Sequence, residues 1–274
     1  MSGPRRWLSA ALILTMTGCG DGCGSGGSEE SPPTATPRAV PEPPRGPLLE
    51  DEGDAWREVL GGFATDDGGF RYAALRASPE GRSLLDVYQI EIASEAAVPA
   101  ERDAKIAFYI NAYNFLVVSS VVREWPVESV MNVEGFFDGR THRVGGRTLT
   151  LNQLETEILR SEELNEPRVH FALNCASASC PPLAPTPYEP DDLDATLAAR
   201  TRAFVRATTT IDRDAGQATV SRVFEWYAAD FERGGGSVRE LVAAQLDEAD
   251  GAFVREPGTT LAYAEYDWSI NARQ

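Results

Sequence analysis

The stretch that most constrains this chain runs from Asp103 to Arg123. Its apolar side chains cover nearly the whole circumference of a helix: Ile106, Ile110, Tyr113, Val117 and Val121 lie on one side, and Phe108, Phe115, Val118 and Val122 on the other. A helix that is apolar all round is one that the protein buries. Trp125-Pro126 predicts its end, because a residue before proline avoids the helical region. A membrane span is the competing reading. Asn111, Asn114, Ser119 and Ser120 break the apolar run short of the roughly 18 clean residues a span needs. The expectation is therefore a core helix, in a chain of 274 residues that is 42% hydrophobic and so has material to surround it.

The flanking pattern mixes helices and strands without βαβ alternation. Trp56, Val59, Leu60 and Phe63 open an amphipathic helix, and a second helical stretch comes near Tyr72–Val87. The segment 142–149, with Gly145-Gly146 at its centre, predicts a hairpin with a two-residue turn. Thr150 and Gln153 form a capping box opening a helix with the stripe Leu151, Leu154 and Ile158. Arg168–Asn174 reads as a buried strand, running into a loop of small residues closed by Pro181-Pro182. Leu193, Leu197, Thr201, Phe204 and Val205 mark the buried face of another helix. A hairpin is expected around Gly216, a capped helix after Ser237, and a last strand at Leu261–Tyr266. These features predict an α+β fold: a single domain over residues 48–274, with a buried central helix against a small mixed or antiparallel sheet.

The N-terminal end predicts an address. Arg5 and Arg6 precede a short apolar run, Trp7–Met16, and Met16-Thr17-Gly18-Cys19 resembles a bacterial lipobox. Residues 1–18 are read as a lipoprotein signal peptide and Cys19 as the acylated residue, with palmitate among its chains. Two or more acyl chains hold a protein on a membrane stably. Gly20, where inner-membrane retention often uses aspartate, tilts the expectation towards the outer membrane of a bacterial envelope. Residues 19–47, rich in glycine and proline, are expected to form a disordered tether. A formal charge of −17, from 42 acidic against 25 basic side chains, argues against nucleic acid as a partner. The expected partner is the membrane, through Cys19; a protein or small-molecule partner is not identified.

Reactive side chains concentrate at His170, Asn174, Cys175, Ser177, Ser179 and Cys180. A thiolate is a capable nucleophile, and an imidazole can take its proton. On a strand, however, His170 and Cys175 differ in parity and point to opposite faces. They meet only if the strand ends or bulges first. Against this stands a structural Cys175–Cys180 disulfide, which an oxidising compartment favours; it would contribute about 2 kcal/mol for so small a loop. A metal site from His142, His170, Cys175 and Cys180 lacks zinc-knuckle spacing, and neither a metal nor another cofactor is expected. Asn111 and Asn114, three apart on the central helix, need partners; they either bind neighbouring backbone or line a cleft beside His170. Glu155 with Arg160 reads as a surface pair, and Asp230 and Asp267 as loop anchors.

At several of these stretches the chain resembles domain-of-unknown-function family 547. They are 107–114, 151–160, 169–182, Phe224-x-Trp-Tyr-x-x-Asp-Phe231 and Tyr266-Asp-Trp-Ser-Ile-Asn271, together spanning Ala100–Asn271. One departure stands out: where the family usually has a histidine after the glutamate of the capped helix, this chain has Thr156. The resemblance implies bacterial envelope members and plant members without export signals, and it brings no established activity. A motif shared by oxidising and reducing compartments argues against a purely structural disulfide. By analogy alone, a buried helix followed by a His-bearing segment looks like the transglutaminase and papain-like arrangement. There the nucleophilic cysteine starts the helix, where this chain has asparagines.

These residues are compatible with two functions. The first is a lipid-anchored envelope hydrolase or acyl transferase with Cys175 as nucleophile, His170 as base, and Asn111 or Asn174 as the orienting or oxyanion-side group. The second is a non-catalytic binding or scaffolding lipoprotein with Cys175 and Cys180 bridged.

Overall fold

The expected core helix is present as α4 (Arg102–Glu124), and 16 of its 23 residues are buried. It is long and apolar enough to cross a membrane, but 89% of that apolar window is packed inside the protein, so burial in the protein accounts for its composition. The computed structural model describes residues 38–39 and 54–274. Residues 1–18 read as a signal peptide, Cys19 read as the acylated residue and the rest of the expected tether 19–47 lie outside the described residues. Within that tether Arg38–Ala39 forms a two-residue strand, β1.

Among the described residues three α-helices precede α4: α1 (Ala55–Phe63), α2 (Tyr72–Ala77) and α3 (Pro79–Ala93). The single stretch expected near Tyr72–Val87 is in fact two, because Ser78 leaves the helical region before Pro79 and caps the next helix by accepting from the Gly81 N–H. Trp56 of α1, Tyr88 of α3 and Phe115 of α4 then pack ring against ring, with centroids 5.0–5.9 Å apart.

After α4 the hairpin forms as expected. Strands β2 (Arg140–Val144) and β3 (Arg147–Leu149) pair antiparallel across Gly145 and Gly146, both at positive φ, and β1 pairs with β2 in parallel. Thr150 and Gln153 make the reciprocal capping box of α5 (Leu151–Gln153). The helix then widens into a π-helical segment, Leu154–Leu159. A second sheet is built by β4 (Thr210–Asp212) and β5 (Gln217–Val220), antiparallel, with β6 (Thr260–Tyr263) parallel to β5. Between the sheets lies α6 (Leu193–Thr208), and α7 (Val223–Trp226), α8 (Ala228–Phe231), α9 (Val238–Gln245) and α10 (Glu248–Arg255) complete the chain.

The architecture is a single α+β domain. Its apolar interior divides into two clusters: a larger one around α1–α4 and the first hairpin, and a smaller one joining α6–α10 to β5. One segment feeds both: Val169, Ala172 and Leu173 belong to the first cluster and Phe171 to the second.

Candidate functional site

That shared segment is not a strand. Pro167–Phe171 is a 3-10 turn, with the Ala172 and Leu173 N–H groups both bonded to the Val169 carbonyl. Glu166 accepts from the Arg168 N–H and caps the turn, and Pro167 needs no donor in its first position. The apolar run Val-His-Phe-Ala-Leu resembles a strand because both of its sides are buried, one in each cluster, and such a run carries no period of its own. The parity argument separating His170 from Cys175 therefore lapses.

Asparagines anchor the cysteine loop beyond this turn. Asn114 of α4 donates to the Ala172 carbonyl at 2.9 Å and accepts from the Asn174 N–H at 2.8 Å. The Asn174 amide donates to the Pro181 carbonyl and accepts from the Ala176 N–H, closing the loop at both ends. Beyond these, among the described residues, its Oδ1 accepts only from the Asn271 amide, at 3.4 Å, so it positions the loop. Asn111 lies elsewhere: it exchanges two 2.9 Å hydrogen bonds with the Tyr188 backbone and lines a separate cleft with Asp54, Tyr88 and Glu91. The expectation of Asn111 beside His170 is overturned, because Tyr188 takes up its amide.

Both Cys175 and Cys180 are free thiols here. The Cys180 sulfur accepts from the Cys175 N–H, 2.8 Å away. The Cys175 sulfur lies 3.0 Å from Ser177 Oγ and 3.3 Å from the Tyr266 hydroxyl, and Ser177 Oγ donates to that hydroxyl at 3.0 Å. Three groups, each both donor and acceptor, close a ring in which every bond polarises the next. Burial raises the Cys175 thiol. Hydrogen bonds from Cys180, Ser177 and Tyr266 outweigh it and bring the thiol down to about 7. Burial and the neighbouring Cys175 push Cys180 the other way, well above the usual thiol range.

His170 is buried, its ring stacked on Tyr227 at 3.7 Å. Nε2 faces Asp230 Oδ2 at 2.8 Å. Asp230 also accepts from Arg160 at 2.5 Å and Arg233 at 2.9 Å. Burial raises its carboxyl, but the bonds from His170 and Arg160 prevail and hold it at about 2. An ionised Asp230 keeps the proton on Nε2 and leaves the Nδ1 lone pair free. Among the described residues Nδ1 has no hydrogen-bond partner, and it is not sealed from the adjoining space. That space is a cavity of about 150 Å³ whose lining includes Cys175, Cys180, His170 and Glu155. Among the described residues no direct hydrogen bond joins the sulfur to the imidazole; the two residues line the same cavity.

Asp230 thus orients the imidazole, a role beyond the loop anchor expected from sequence; no spacing reveals a partner 60 residues away. Glu155 is likewise not in a surface pair: it is buried, and Arg160 is bound to Asp230. The sequence does carry a signal for it, since position 155 falls four residues after Leu151 on the same buried helix face. His142 is buried at a different place with both ring nitrogens unpartnered. No group of three or more His, Cys, Asp or Glu among the described residues is arranged to hold a metal ion.

Fold and site together define an α+β domain with a cavity lined by Cys175, Cys180, His170 and Glu155, the imidazole held from behind by Asp230. Residues 99–205 match the family model described as "Protein of unknown function, DUF547". The match includes Glu155, His170, Asn174, Cys175 and Cys180 and stops short of Asp230 and Tyr266. No curated protein and no solved structure matches the chain.

Proposed function

We propose that this domain performs acyl transfer through Cys175, as a hydrolase or acyl transferase held by a lipidated Cys19 in the bacterial envelope. One observation carries the reading: a hydroxyl-bonded thiol and an Asp-held imidazole open onto the same cavity. His170 Nδ1 takes the Cys175 proton, and the sulfur attacks an acyl carbonyl. The carbon–leaving-group bond breaks as His170 returns the proton to the departing atom. Water or an acceptor amine or alcohol, deprotonated by the same imidazole, then releases the acyl group and restores the thiol. Asp230 holds the ring throughout, and Tyr266, its own hydroxyl accepting from Ser177, donates to the thiolate.

The test is iodoacetamide modification of the full chain against pH, read by peptide mass spectrometry, beside acylation by p-nitrophenyl acetate. Cys175 is expected to react along a curve with its midpoint near pH 7 and to form a thioester, while Cys180 stays unmodified. A Cys175 no faster than free cysteine, with no thioester, overturns the reading. The contact between Cys180 sulfur and the Cys175 N–H supports the second reading, a bridged, non-catalytic module. A disulfide surviving mild reductant in the purified protein would establish that one instead. Incorporation of a palmitate analogue, lost in Cys19→Ala, tests the anchor.

A further inference from the structure

The Cys175 cavity holds a charge that this chemistry does not use. Glu155 is only 8% exposed, and it lines the cavity. A buried carboxylate is costly unless something compensates it. Among the described residues Glu155 forms no ion pair: Arg160 is directed to Asp230, and the neighbouring Arg147 pairs with Glu157. Its neighbour Tyr227 lines the same cavity. The π-helical turn places it there, a helix form that concentrates at functional sites.

Around this carboxylate the wall is aromatic. Tyr113, Phe137, Trp226, Tyr227, Tyr266 and Trp268 all line the cavity. Trp226, Tyr266 and Trp268 form one cluster, with centroids 4.6–5.8 Å apart, and Trp226 is 44% exposed at the rim. Ring faces carry negative charge density and attract cations. Tyr227 already does so, with the Arg160 guanidinium 5.1 Å above its ring. Carboxylate and ring faces together repel an anion and hold a cation. Building on Cys175 as nucleophile, we infer that the cavity selects acyl substrates bearing a compact alkylated ammonium group, seated between Glu155 and the Trp226–Tyr266–Trp268 wall. At a water's share of about 30 Å³, the 150 Å³ cavity holds the equivalent of about five waters. That suits a trimethylammonium on a short stem.

Calorimetric titration of the full chain carrying Cys175→Ser tests this without needing the nucleophile. The probes are choline, its uncharged isostere 3,3-dimethylbutan-1-ol, and butyrate. Choline is expected to bind at least about tenfold tighter than the isostere, the worth of one desolvated cation–π contact, with no binding of butyrate. Glu155→Gln, which keeps a hydrogen-bonding group beside Tyr227, is expected to erase the preference. Trp226→Leu, at an exposed rim position, weakens choline even if the Glu155 variant fails to fold. Equal binding of choline and isostere overturns the cation site, as does choline binding that both variants leave unchanged, however fast Cys175 alkylates. A choline preference beside an inert Cys175 upholds the cation site and removes the nucleophile.

Discussion

At the scale of single residues, the cysteine loop holds strained backbone beside its reactive group. Ala176 sits at φ 63°, fully buried, directly after Cys175. A left-handed alanine costs about 1–2 kcal/mol, and such strain persists only where the surroundings over-determine it. Here they do: its N–H is held by Asn174 and its carbonyl by the Asn271 N–H. Glycine removes the clash at a backbone entropy cost of about 0.5–1 kcal/mol. Ala176→Gly should therefore gain about 0.5–1 kcal/mol in urea unfolding, whereas Ala176→Val should lose stability. A destabilised glycine variant would show that the turn is not strained. Cys175 and His170 are legible in the sequence as reactive residues because both types are rare here. Asp230 and Tyr266 stay hidden because both lie far along the chain; the position of Glu155 on a buried helix face is legible, but a charge there is easily taken for a solvated one.

Among elements, α4 bears most of the design, and its polar positions explain why a nearly all-apolar helix is not wholly so. Asn114 satisfies one carbonyl and one N–H of the turn before Cys175, groups that no regular element would pair. Replacing it with leucine keeps the volume but strands two buried backbone groups, at about 1–3 kcal/mol each. Asn114→Leu should cost about 2–6 kcal/mol and slow Cys175 alkylation through loosening of the loop. A variant with unchanged stability and reactivity would remove α4 from the support of the site. The helix is legible because apolar residues on every side have one meaning. The segment 167–174 is not, because a short run buried between two clusters looks alike as strand or 3-10 turn until both clusters are known.

For the molecule as a whole, buried titratable groups predict an acid response in two windows. His142 on β2 is 4% exposed, with neither ring nitrogen bonded. Burial, then the charges of Arg123 and Arg140, bring it down to about 4 from 6.5. The folded pKa lies below the unfolded one, so the unfolded chain binds the proton first as pH falls. Stability from a neutral His142 is complete above pH 6.5 and is lost between 6.5 and about 4, on the order of 3 kcal/mol. Asp230 is depressed from 3.8 to about 2, so its contribution persists above 3.8 and fails only below it. The first window should therefore open while the His170–Asp230 pair is intact. Urea midpoints measured from pH 7.5 to 4 should fall steeply in the native chain. In His142→Leu, which fills a similar volume and has no proton to take up, the decline should be nearly abolished down to pH 4. If both chains lose stability in parallel over that range, the acid sensitivity belongs to another group, and His142 is tolerated at no cost that protons can reveal.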